Sequence, residues 1–120
     1  AEKYQAAVEM ALEANSLNPG RGYVLNILGI AQYRAQKYQE ALATLTHAEK
    51  LNAPLYGGVS FRDLVFLAMT HFQLNSKTKA AGLLKKVKAL AKTKKVRNAD
   101  LERFIKEAET LIQSPPRGEK

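Results

Sequence analysis

Apolar positions recur along this chain at spacings of three and four, as expected of helices that each bury one stripe of their surface. Over residues 22–35, Leu25, Leu28 and Gly29 share a face; over 38–51, Ala41, Leu45 and Ala48 do the same. A short polar turn joins the two stretches, so they read as a helical hairpin. Gly29, Ala41 and Ala48 are small enough to let its arms approach closely. A preceding helix over residues 1–17 carries Tyr4, Ala7, Val8, Ala11, Ala14 and Leu17 on one side and stops at Asn18, Pro19 and Gly20.

Residues 52–59, with Pro54 and the pair Gly57 and Gly58, read as a loop. Ser60, with Asp63 three positions on, is related to a capping box and predicts the start of another helix. Residues 61–75 place Leu64, Leu67, Ala68 and Phe72 on one face, and residues 77–92 place Ala80, Leu84, Val87 and Leu90 on another. Asn98 suits the N-cap of a last helix, whose stripe is Leu101, Phe104, Ile105, Ala108, Leu111 and Ile112 and whose early Asp100 and Glu102 suit the helix dipole. Residues 114–120, containing Pro115, Pro116 and Gly118, are expected to form a disordered tail.

These stripes repeat. Leu25, Leu28, Gly29 and Tyr33 recur as Leu64, Leu67, Ala68 and Phe72, and Ala41, Leu45, Ala48 and Leu51 recur as Ala80, Leu84, Val87 and Leu90, all at a single constant offset. Tyr4, Ala7, Ala14 and Leu17 recur as Tyr38, Ala41, Ala48 and Leu51 at a second, shorter offset. The order Leu25, Leu28, Gly29, Tyr33, Ala41, Leu45, Ala48 resembles the tetratricopeptide repeat, with Leu25 in place of the usual Trp and with Tyr33 and Pro54 each one residue late. The shorter offset equals the length of that repeat, about 34 residues. The resemblance implies an all-α, tetratricopeptide-like helical-hairpin solenoid of about six helices over residues 1–113. It divides into the second helix of a truncated repeat (1–21), two repeats (22–55 and 61–94) and a C-terminal capping helix (98–113). The second repeat and its lengthened loop are also similar to the C-terminal repeats of large planctomycete-type multidomain bacterial proteins.

Composition narrows the chemistry. The 120 residues include no cysteine, which excludes disulfides, thiolate metal sites and a cysteine nucleophile. His47 and His71 fall on different helices without a second ligand at metal spacing, and no nucleophile-elbow motif is present. A noncatalytic protein with no cofactor and no metal is therefore expected, not an enzyme. No apolar run approaches the roughly 18 residues of a membrane span, so a cytoplasmic setting is expected. The net charge of +8 is uneven: residues 1–60 carry five basic and five acidic side chains, and residues 61–120 carry 14 and six.

Two binding surfaces follow. The resemblance implies a concave face lined by the first helix of each repeat, here Tyr23, Asn26, Ile27, Ile30, Tyr33 and Arg34, then Arg62, Val65, Phe66, Met69, Phe72 and Gln73. Aromatics and a methionine there suit a peptide or helix, making a protein-interaction scaffold the expected function. Ile30, Val65, Phe66 and Met69 equally suit packing of repeat against repeat or under the capping helix, which leaves Tyr33, Phe72, Arg34 and Arg62 as the favoured ligand contacts. Ile27, Ile30 and Phe66 stand where a carboxylate clamp for chaperone tails would need polar groups, so that ligand is not expected. The alternative is nonspecific binding of nucleic acid or an anionic surface through Lys85, Lys88, Lys92 and Lys95, within a run from Lys77 to Arg97 that has nine cations and no acid. Tyr4, Val8 and Ala11 of the first helix are expected to lack a covering partner, which would promote homo-oligomers.

Overall fold

The computed structural model describes residues 2–113. The tail expected over residues 114–120 lies outside them. Among the described residues the chain forms six α-helices and no strand: α1 Glu2–Leu17, α2 Gly22–Arg34, α3 Tyr38–Asn52, α4 Phe61–Gln73, α5 Lys77–Thr93 and α6 Ala99–Gln113, with one 3-10 turn at Ala53–Tyr56. Each helix packs on the next in sequence, and α6 lies against both α4 and α5. The result is all-α, built from hairpins of neighbouring helices.

The periodic stripes account for this packing. Ala41, Leu45 and Ala48 of α3 are wholly buried. At the crossing of α2 and α3, a Cβ on Gly29 would lie 2.5 Å from Leu45 Cδ2, so only glycine permits the approach. Ala80, Leu84 and Val87 bury the equivalent face of α5.

The same turn closes both hairpins. Gln36 N–H donates to the Tyr33 carbonyl at 2.9 Å and Lys37 N–H to that of Gln32 at 2.8 Å. At the equivalent positions of the second repeat, Asn75 N–H reaches the Phe72 carbonyl at 3.0 Å and Ser76 N–H that of His71 at 2.8 Å. Gln36 and Asn75 occupy the left-handed region, with φ of 65° and 69°. This is a Schellman closure, in which a residue with positive φ satisfies carbonyls that the last helical turn leaves free. The internal repeat is thus present in backbone conformation as well as in side-chain pattern.

Two local expectations need correction. Ser60 precedes α4, but its hydroxyl does not cap the helix; it donates to Asp63 Oδ2 at 2.5 Å. Asp63 is completely buried and also accepts from Asn26 Nδ2 at 2.6 Å and Asn52 Nδ2 at 2.9 Å. Asn52 Nδ2 further reaches the Gly22 carbonyl at 3.1 Å, and a Cβ on Gly22 would fall 2.0 Å from Asn52 Oδ1. Burial of a carboxylate is tolerable only with such a set of donors. The other correction concerns α1. Val8 and Ala11, expected to be uncovered, are both buried against α2 in a cluster with Leu25, Leu28 and Ala31.

Replacing Gln36 with glycine should stabilise the protein by about 1 kcal/mol in chemical denaturation, because it relieves a left-handed backbone disfavoured for residues with a Cβ. Asp63→Ala, by removing the acceptor of the Asn26 amide and the Ser60 hydroxyl and leaving Asn52 only its bond to the Gly22 carbonyl, should cost at least about 3 kcal/mol by the same measurement.

Candidate functional site

Helix α6 decides what remains of the predicted concave face. Its stripe of Leu101, Phe104, Ile105 and Ala108 seats on α4 and α5, and Asn98 Oδ1 caps its start by accepting from Leu101 N–H at 2.9 Å. Of the two roles open to Phe66, Met69 and Val65, groove lining and packing, the structure gives packing, with all three completely buried. The Phe66 ring meets Tyr33 and Phe104 edge-on, with centroids 5.7 Å and 5.0 Å away. These residues form core, with α6 packed against α4.

The remaining groove residues separate into two groups. Tyr33, Arg34, Phe72 and Gln73 line a cleft of about 1110 Å³. It opens where the last turns of α2, α4 and α6 meet the first turns of α1, α3 and α5, represented by Arg34, Gln73, Ile112, Tyr4, Tyr38 and Lys77. Tyr33 is largely buried and reaches the cleft at its edge, with its hydroxyl accepting from Gln73 Nε2 at 3.4 Å. Burial is the main reason that its phenol is pushed above the ordinary value; the bond from Gln73 opposes the shift. Arg34 binds Glu107 of α6 in a two-pronged pair at 2.5 Å and 2.9 Å, and that bond is the leading cause of its raised pKa. Lys77 lies 5.7 Å from the Phe72 ring centre and makes no ion pair among the described residues.

Tyr23, Asn26 and Arg62 border a smaller cavity of about 450 Å³ at the opposite end of α2 and α4. Asn26 is nearly buried, and its amide is committed to Asp63. Arg62 pairs with Asp100 at 3.5 Å, while Tyr23 remains half exposed. Ile30 is partly buried against the core, and Ile27, one turn earlier on α2, remains half exposed. The single expected groove is thus divided, its middle filled by α6.

Of the four lysines singled out earlier, three lie on α5 and one lies beyond it. Lys85 and Lys92 are exposed on α5, Lys88 is bound to Glu109 of α6 at 2.6 Å, and Lys95 lies beyond the helix in a left-handed turn with φ of 55°. His71 is held below its ordinary pKa, first by burial and then by Lys79. Among the described residues there is no cluster of three metal-ligating side chains and no helix long and apolar enough to cross a membrane.

The sequence reading missed Tyr4, Tyr38, Lys77 and Glu107 as cleft residues. A signal existed for two of them, since Tyr4 and Tyr38 are repeat equivalents at the start of their helices. Glu107 could be identified only by knowing where α6 docks. No protein-family model and no curated protein sequence gives a significant match to this chain.

Phe66→Ala tests the core role. It should destabilise the domain by roughly 3–5 kcal/mol in urea or thermal unfolding, as for other buried Phe truncations, whereas a groove residue would leave stability nearly unchanged.

Proposed function

We propose that this chain is a noncatalytic protein-interaction module of the tetratricopeptide type, which takes an extended peptide or a helix end into the cleft between the helix turns. The observation that carries this reading is the cleft itself, about 1110 Å³ in volume, with Tyr4, Tyr38 and Phe72 partly exposed around it. Rigid aromatic side chains at the edge of a concave surface lose little entropy on binding and dominate interface energies. Lys77 beside Phe72, together with α3 and α5 starting without side-chain caps, favours a partner that presents a carboxylate beside an apolar group. Arg34 is less available for that purpose, because Glu107 already neutralises it.

The second reading is nonspecific binding of nucleic acid or an anionic surface through α5. It rests on exposed Lys85 and Lys92 and on the net charge of +8. It is weaker than the sequence suggested, since Lys88 is paired and Lys95 leaves the helix.

Capture from nuclease-treated cell lysate distinguishes the two. A Tyr38→Ala, Phe72→Ala variant, confirmed as folded by circular dichroism, should lose retained partners with a drop in affinity of about 30-fold or more, as expected for aromatic hot spots. Equal capture by wild type and variant, released at moderate salt, would overturn the cleft reading in favour of the lysines.

A further inference from the structure

Independently of the cleft, α1 carries a bare apolar stripe whose counterpart elsewhere in the chain is covered. Ala7, Ala14 and Leu17 are the repeat equivalents of Ala41, Ala48 and Leu51. On α3, Ala41 and Ala48 are completely buried within the helical hairpin. On α1 the equivalent alanines are exposed, and Met10 and Leu17 retain 72% and 80% of their accessible surface. Val8 and Ala11 point the other way, into α2.

The bare stripe runs Lys3, Ala7, Met10, Ala14, Leu17, at spacings of four, three, four and three. That alternation keeps a seam straight along a pair of helices. Small Ala7 and Ala14 alternate with large Met10 and Leu17, so a facing helix can set large residues against small ones.

We propose that a second copy of the chain covers this stripe with its own α1, the two helices running antiparallel about a two-fold axis. Charge selects the orientation. A parallel pair would stack Lys3 on Lys3 and Glu13 on Glu13, whereas the antiparallel pair sets each Lys3 beside Glu13 of the other copy and near the negative end of that helix. It also sets Ala7 of each copy against Met10 of the other. One helix pair buries less than the roughly 800 Å² per partner of a standard interface, so dissociation is expected on the order of 10–100 µM.

The test is sedimentation equilibrium of the whole 120-residue chain, over roughly 5–500 µM so as to bracket that range. Reversible dimers are expected, and Met10→Glu should abolish them. Lys3→Glu and Glu13→Lys should each weaken association about fivefold, a size typical of exposed charge pairs, and combining them should restore it. All three residues are exposed, so the variants should keep the helical circular dichroism of the wild type. A monomer throughout the range would overturn the proposal, as would a dimer indifferent to Met10→Glu. A combined charge reversal that fails to restore association would overturn the antiparallel arrangement.

Discussion

The carboxylate of Asp63 imposes the strictest condition in the fold. It is completely buried, and each donor that stabilises it comes from a different segment: Asn26 from α2, Asn52 from the end of α3 and Ser60 from the loop before α4. A buried charge short of donors would cost several kcal/mol, so these segments are held in one relative position. Gly22 must stay without a side chain because Asn52 fills the space where a Cβ would go. The repeat equivalents of Asn26 and Asp63 are Val65 and Val24, so this cluster occurs at one junction only. That junction is where the loop between repeats lengthens, and the polar cluster anchors the extra chain.

With α2, α3 and α4 in place, α4 keeps a face for one further helix. Helix α6 takes it, and Phe66 is enclosed between Tyr33 and Phe104. The two-pronged pair of Arg34 and Glu107 then ties α6 back to α2. Docking of α6 also builds the cleft, because Glu107, Leu111 and Ile112 complete its wall. One packing event therefore covers Phe66 at the middle of α4 and creates an opening at the end of the helix bundle.

The helices were legible in the sequence because three-and-four periodicity is a local signal, and the start of α6 was legible because Asn98 is a strong cap. The register between the two repeats was legible too, and it reappears in the paired turns at Gln36 and Asn75. The candidate site was only partly legible. An amphipathic stripe says that α6 must bury Leu101, Phe104 and Ala108, but not which surface will receive them. Phe66 and Met69 therefore read equally well as groove lining and as packing, and only the contact of Phe66 with Phe104 of α6 separates the two. Asn26 misled for a related reason, since its partner Asp63 is remote in sequence and no local pattern links them. On α1, one helix carries two apolar stripes, and composition could not tell which of them α2 covers.

The position of α6 at the end of the described chain also has a consequence in time. Synthesis runs from the N-terminus, so α4 is made well before α6 is complete. At about 5–20 residues per second, the roughly 40 residues between the ends of those helices take roughly 2–8 seconds to make. Until α6 is made, the face of Phe66 that meets Phe104 has no helix to cover it. A nascent chain in that state displays an apolar face that the finished domain conceals, and so presents to chaperones a surface that the mature protein no longer has.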